Sequence, residues 1–413
     1  MATSELSSFI GWVDLSEEDQ KRARDYLRSL AEGTLDELGF GVIRDTFADR
    51  FFPATSTIMT RARYFILVPA IYLHVLNRGL TGDQAQKQCA RLEQELRSLL
   101  IKNKSIPNPR QDIVQRYPAS IYWAGLRRLG IYTQGGSQAR YFNGLQDYFE
   151  SQSGLLDDDK NAHAGDNAYE LWDQEIVDLC DAEQILDPDS RAQFANDTDL
   201  EVTKIEAKYL KRRFLADETA TVISNVFRHN SFEPNSYPWD WDYPDELERD
   251  IRHAQQFSMH ARIATLVYYV MLNQLRQDNA LAAVEVDLMD AVERWWDSAR
   301  DRHAAWDITD FINWTAETKS QRGNDVPFVK QFHHELTAAK SATSFVESEK
   351  VRKLIVAREM DKRPNKRRLR PGRFLAEWKL PSQWSSDESG YQLDFRAGIA
   401  STIVKDIFEG LNR

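Results

Sequence analysis

The run Tyr64–Leu76 (YFILVPAIYLHVL) constrains this chain more than any other stretch, because a segment that is apolar all round has to be covered all round. Its 13 residues fall short of the ~20 that span a bilayer, so it predicts a buried core helix interrupted by Pro69. The stretches around it are helical in period. Cys89, Leu92, Leu96, Leu99 and Leu100 share one face over 83–100, and Ile251, Phe257, Ile263, Leu266, Val270 and Leu275 recur through 243–275. Further helices are predicted over 35–50, 200–228, 286–304, 308–317, 326–339, 341–360 and 395–408. Phe9–Val13 reads as a short strand, and Ser16 with Asp19 caps a helix that runs to Ala31.

With 413 residues, 42% of them hydrophobic, the chain can bury a large core, which excludes a mini-protein and a disordered tail. The expected fold is mainly α, in two helical lobes: an N-terminal domain over 1–150, an acidic linker or excursion over 151–199, and a C-terminal domain over 200–413. Two cysteines, Cys89 and Cys180, are too few for a disulfide framework or a thiolate zinc site, and Met1–Asp14 lacks the pattern of a secretory signal. A cytoplasmic protein with no membrane contact is the expectation.

Charge is distributed unevenly. Residues 150–199 hold 15 acidic side chains against Lys160 and Arg191, so this stretch exceeds the whole-chain charge of -11 and leaves the remainder slightly positive. Seven cations without an acid lie in 362–373: Lys362, Arg363, Lys366, Arg367, Arg368, Arg370 and Arg373. Clustered Lys and Arg neutralise phosphates and release counterions, so the segment is a candidate for DNA or RNA contact; a clamp on the chain's own acidic stretch is the competing reading.

A second candidate is 117–141. Tyr117-Pro118 opens a helix that Gly130 is placed to close, and Ile131-Tyr-Thr-Gln, Gly135-Gly136 and Ala139-Arg-Tyr read as strand, turn and strand. A small winged-helix-like β element is therefore expected near 112–142, with Arg127, Arg128 and Arg140 facing a duplex. The competing reading is an ordinary helix with Tyr122, Trp123, Leu126 and Leu129 as core.

Catalytic motifs are weak or missing. Glu206 with Lys208, and Glu317 with Lys319, have the Glu-x-Lys spacing of metal-dependent nucleases, but both lie in helical patterns, and Thr203 with Glu206 reads as a capping box. Phosphate-binding glycine loops, the Gly-x-Ser-x-Gly elbow and zinc-binding His-Glu-x-x-His are absent from the sequence, so no catalytic residue, metal or cofactor is expected. His253 and His260 read as core or surface residues, and Tyr237–Pro244, rich in Trp and Asp, as a loop that anchors its tryptophans or contacts a protein.

Several stretches together resemble an uncharacterised bacterial family of unknown function that spans roughly the whole chain. They are Phe9-Ile-Gly-Trp-Val-Asp, Phe52-Pro-Ala-Thr-Ser-Thr, Thr60-Arg-Ala-Arg-Tyr-Phe-Ile-Leu-Val-Pro and Ser120-Ile-Tyr-Trp-Ala-Gly-Leu-Arg-Arg-Leu-Gly-Ile, with shorter matches at Glu206-Ala-Lys-Tyr-Leu and Phe257-Ser-Met-His. Leu393-Asp-Phe-Arg-Ala departs from the Tyr, Arg, Trp series of that family. The resemblance implies a loose association with restriction-like or anti-phage gene clusters and with helicase or nuclease partners; no catalytic residue carries over. The combined expectation is a non-enzymatic accessory subunit that contacts nucleic-acid phosphates, with a pure protein scaffold as the alternative and a metal-dependent nuclease as the third option.

Overall fold

The structure is a computed structural model that describes residues 38–106, 117–155, 170–183, 185–186, 194–216, 219–232, 237–321, 323, 325–380 and 392–413. The strand expected at Phe9–Val13, the helix expected to Ala31 and much of 151–199 lie outside these residues. In chain order the helices are α1 (Gly41–Phe51), α2 (Tyr64–Asn77), α3 (Gly82–Lys102), α4 (Pro118–Arg128), α5 (Gln138–Leu155), α6 (Gln174–Ala182), α7 (Lys204–Leu215) and α8 (Val222–His229). They continue as α9 (Glu248–Asp278), α10 (Leu288–Ala304), α11 (Ile308–Glu317), α12 (Asp325–Ala338), α13 (Ala342–Glu347), α14 (Glu349–Lys362), α15 (Arg373–Ala376) and α16 (Ala397–Asn412). The two stretches predicted as single helices, 200–228 and 341–360, each break once, where Thr221 and Ser348 take up extended backbone.

The mainly α expectation holds, but the winged element does not exist. Among the described residues there is no strand, and Tyr132 meets Trp172 in a lone antiparallel bridge. Gly130, at φ +63, ends α4 in a Schellman turn in which the Ile131 N–H donates to the Leu126 carbonyl at 2.9 Å. Ile131–Thr133 then spends its pairing on Leu171 and Asp173. The expected second strand, Ala139–Tyr141, is instead the first turn of α5, with the Ser137 hydroxyl accepting from the Arg140 N–H at 3.2 Å. Tyr141, Phe142 and Leu145 are buried at helical spacing, and that burial outweighs the strand propensity of the aromatics.

The chain divides into two compact units. The first takes in 52–234 and 398–413, and its centre is α2, where every residue but His74 and Asn77 is buried. Around α2 pack α3, α4 and α6. The backbone leading into α2 is tied down on three sides. Tyr122 of α4 receives the Thr60 and Arg61 N–H groups at 3.0 and 3.1 Å, Asp406 of α16 receives the Arg61 guanidinium at 2.9 Å and the Ala62 N–H at 2.8 Å, and Glu206 of α7 receives Arg63 at 3.1 Å. Glu93 of α3, only 4% exposed, accepts the Ala119 N–H at 2.6 Å, and burial pushes its carboxyl up to about 8.

The second unit takes in 27–51 and 235–397, and α9 is its spine, in contact with α1, α10, α12, α14 and α15. Gln256–Leu272 is buried on every side, polar residues included, so the amphipathic pattern read from the sequence understates how deeply this helix sits. Arg358 of α14 has no exposed surface. Its guanidinium donates to Asp325 at 2.7 Å and to the Leu38 and Gly39 carbonyls at 2.6 and 2.9 Å, and it lies over the Phe40 and Phe328 rings at 5.5 and 5.1 Å.

Two stability predictions follow from these buried charges. A carboxyl raised on folding binds its proton more tightly in the native state, so its contribution falls as pH rises from the unfolded value of 4.5 through about 8. Glu93→Gln keeps the acceptor and is expected to gain roughly 1–3 kcal/mol at pH 8 but little at pH 5, read by urea unfolding at both pH values; equal effects at the two would refute the assignment. Arg358→Met leaves Asp325 short of a cation and is expected to cost about 3–5 kcal/mol, with a smaller penalty when Asp325→Asn is added. Additive penalties would show that the two residues do not act as a pair.

Candidate nucleic-acid interface

The cations singled out in the sequence fall into two groups, one in each unit. In the first unit Arg127 and Arg128 occupy the last turn of α4 and Arg140 the first turn of α5, all three exposed. Arg127 and Arg140 both act on Tyr132: burial raises its phenol, and the two guanidinium groups oppose that shift. The carbonyl end of α4 is taken by Arg213, whose Nε donates to Leu129 at 2.8 Å. Gly136, at φ +110, lies against the Arg140 side chain so closely that an added Cβ would sit 2.5 Å from its Cδ.

In the second unit the 362–373 segment is an ordered turn. Glu359, buried in α14, accepts the Arg368 N–H at 2.7 Å, the Leu369 N–H at 3.0 Å and the Tyr268 hydroxyl at 2.7 Å. Lys362 lies at the end of α14 with its ammonium 2.6 Å from Asp325, and its stem passes beneath Gly39. Arg373 is ion-paired to Glu377 one turn along at 2.6 Å. Arg363, Arg367 and Arg368 are half-buried, while Lys366, Arg370 and Arg373 are exposed. The structure thus divides the seven cations: Lys362 neutralises a buried acid, and Lys366 and Arg370 face solvent on a backbone that Glu359 fixes.

Three of the described acids of the 150–199 stretch pair with arginines of the first unit. Asp173 pairs with Arg213 at 3.0 Å, Glu175 with Arg212 at 3.1 Å and Asp199 with Arg63 at 2.9 Å. Glu206 is fully buried and makes the capping box read from the sequence, receiving the Thr203 N–H at 2.7 Å while Thr203 caps its own N–H. Burial raises its carboxyl against the pull of Arg63. Glu317 is exposed near the end of α11, paired with Arg249 at 2.7 Å. Neither carboxylate shares a metal-binding cluster: among the described residues no group of three or more His, Cys, Asp or Glu side chains is arranged to hold a metal ion. In the Trp-rich loop Trp241 is buried, and Trp239 stacks on Tyr237 with ring centres 5.0 Å apart.

A group of histidines that nothing in the sequence brings together gathers on α9, α10 and α12. His260 Nδ1 lies 3.3 Å from His303 Nε2, His303 Nδ1 lies 3.2 Å from the Gln256 side-chain oxygen, and the His303 and His333 rings meet edge to face at 5.1 Å. Two turns before His260, His253 accepts the Trp306 indole N–H at 3.1 Å and meets Asp310 at 3.1 Å. Burial lowers all four imidazoles, His303 to about 3. The imidazoles serve here as neutral core polar groups; His260 and His303 share one hydrogen bond, and the His260 Nε2 and His333 Nδ1 atoms are buried without a partner. Spacings of 43 residues from His260 to His303 and 30 from His303 to His333 gave no local signal.

These features define a mainly α-helical protein of two units, with one cationic turn held by a buried acid; among the described residues no helix is long and apolar enough to cross a membrane. The chain belongs to a family of unknown function, DUF6361, which matches residues 7–410. The family resemblance drawn from Thr60–Pro69 and Ser120–Ile131 is thus borne out across nearly the whole chain. No curated protein and no solved structure matches it.

The histidine cluster makes stability depend on acid. Groups whose native affinity for protons is lowered contribute fully above the unfolded value of 6.5 and lose that contribution as pH falls toward the native one, about 3 for His303. Unfolding free energy is expected to drop by about 1–2 kcal/mol per buried histidine between pH 7 and pH 5. His303→Phe should flatten that slope; a variant as steep as the parent would remove the histidines as its cause.

Proposed function

We propose that the protein is a non-enzymatic accessory subunit of a nucleic-acid-directed complex, of the restriction-like or anti-phage kind, that contacts DNA or RNA through phosphates. The contact is made by the 362–373 segment, with Arg127, Arg128 and Arg140 as a second set. The observation that carries this reading is the anchoring of the segment by Glu359, whose carboxylate holds the backbone of Arg368 and Leu369. With the backbone already ordered, Lys366 and Arg370 engage phosphates at a lower cost in chain entropy than a floppy tail would. Their exposure keeps them hydrated and mobile, as suits sequence-independent contact. Helicase or nuclease subunits are the protein partners this role calls for, and the chemistry of cleavage belongs to them.

Filter binding of the full chain to duplex DNA and to single-stranded RNA between 50 and 200 mM salt tests the proposal. Binding should weaken steeply with salt, and K366E/R370E should reduce the slope of log K against log salt by about 2 on duplex DNA, where each contact contributes ~0.9. Absence of binding at low salt would overturn the proposal. So would a charge-reversed protein that keeps its nucleic-acid affinity while losing a protein partner, the result that a pure scaffold requires.

A further inference from the structure

Apolar residues lie on two sides of α14. On the inner side Val351 and Ile355 are buried with Arg358 in the second unit. On the outer side Lys353, Val356, Ala357 and Met360 stand at i, i+3, i+4 and i+7, which sets them in one stripe along the helix, and all four are exposed. Among the described residues the large hydrophobic side chains left exposed are Tyr117, Ile205, Val356 and Met360; the last two, at 40% and 51%, are one turn apart in this stripe. A lone exposed apolar side chain is ordinary. Two of them one turn apart, with an alanine between, form a continuous strip on a face that water alone would favour as polar.

The strip runs into the basic turn. Residues 349–373 hold eleven Lys and Arg against three acids, and each acid is engaged: Glu349 pairs with Lys353 at 2.6 Å, Asp361 lies 3.5 Å from Lys362, and Glu359 holds the Arg368 and Leu369 N–H groups. Glu359 precedes Met360, so the backbone it holds lies at the same end of α14 as the apolar strip. Lys366 and Arg370 project from that backbone into solvent and pair with no carboxylate among the described residues. Phosphates would use these cations and leave Val356 and Met360 as open as before. A lipid surface needs a wider apolar face than two side chains and an alanine provide.

We infer that the outer stripe of α14 docks an acidic amphipathic helix of a partner protein. Apolar side chains of the partner, one turn apart, cover Val356 and Met360, and the small Ala357 between them lets the two helix axes approach. Carboxylates on the flank of the same partner helix meet Lys366 and Arg370 and fix its position along α14. Met360 suits such a contact, because its unbranched thioether adapts to the apolar surface laid against it. The inference deepens the accessory-subunit reading by giving the chemistry of the protein partner that reading calls for. It rests on Val356 and Met360, which phosphate contact does not use.

Fluorescence anisotropy of labelled synthetic peptides with the full chain tests this inference. The probe is a peptide of about 20 residues, long enough to hold a helix, with leucines along one face and glutamates on its flanks. One control replaces the glutamates by lysines, and a second keeps the composition but scatters the leucines around the helix. The glutamate peptide is expected to bind, and both controls to bind about tenfold more weakly, from charge repulsion in one and lost apolar cover in the other. Val356 and Met360 are exposed, so V356T/M360Q is compatible with the fold; it should weaken the glutamate peptide about tenfold and leave affinity for duplex DNA unchanged, whereas K366Q/R370Q should weaken both. The methionine methyl resonance that disappears in M360Q should move in the parent protein when the peptide is added. A control peptide that binds as tightly as the probe, or an affinity indifferent to V356T/M360Q, would overturn the inference. So would sedimentation with phosphatidylserine vesicles that V356T/M360Q abolishes, since that would give the stripe to a lipid surface. Peptide binding without nucleic-acid binding would overturn the phosphate reading and leave this one standing, and the reverse would overturn this one alone.

Discussion

A guanidinium with no exposed surface has to find all its partners inside the protein, and Arg358 finds them in three places. Asp325 opens α12, Leu38 and Gly39 belong to the segment that leads into α1, and the Phe40 and Phe328 rings close over the remaining faces. Lys362, one turn further along α14, reaches the same carboxylate. A single buried acid is thus shared by two cations, with the half-open Asp361 carboxylate 3.9 Å from Arg358 and 3.5 Å from Lys362 completing the charge balance.

The order of the basic turn depends on the same stretch of helix. Arg358, Glu359 and Lys362 stand at i, i+1 and i+4, so one turn of α14 presents neighbouring faces to three jobs: closing the second unit, tying the backbone of Arg368 and Leu369, and neutralising Asp325. The first unit solves a comparable problem at the start of α2. There an apolar helix cannot hold its own position by polar contacts, so the residues before it do so. Thr60–Ala62 and Arg63 meet Tyr122, Asp406 and Glu206 from three other helices. The stretches that carry the family resemblance, 60–69 and 120–131, are the two sides of this joint, which assigns their arginines 61 and 63 to structure rather than to phosphate contact.

What the sequence made legible was whatever is decided locally. The apolar run at 64–76 had to be a covered helix, and the capping box at Thr203 and Glu206 needs residues only three apart. Gly130 closed α4 as its position suggested. The wing was misread because Gly135-Gly136 between aromatic stretches looks like a hairpin turn, while Ser137, the cap that starts α5, is as short a signal and points to a helix. The roles of polar residues on α9 were illegible for a different reason. His260 could be read as either a core or a surface residue; only the packing of α10, α12 and α14 around the spine buries it, and Arg262 with it. The division of labour in 362–373 was hidden likewise, since the acid that takes Lys362 lies 37 residues earlier in the chain.

Net charge decides less here than its local bookkeeping. A whole-chain value of -11 argues against a polyanionic partner only if the acids are free to repel it. Asp173, Glu175 and Asp199 are matched by Arg213, Arg212 and Arg63, and Asp325, Glu359 and Asp406 are buried against cations or backbone N–H groups. At short range a buried acid that is already paired adds little to the field outside, because its partner cancels it within a few ångströms and salt screens the rest beyond about 8 Å. The exposed cations of the basic turn are therefore to be judged against the acids beside them, not against the sum over the chain. Within the turn Lys362 and Arg373 are matched by Asp325 and Glu377, and the Glu359 carboxylate is spent on backbone, which leaves Lys366 and Arg370 facing solvent.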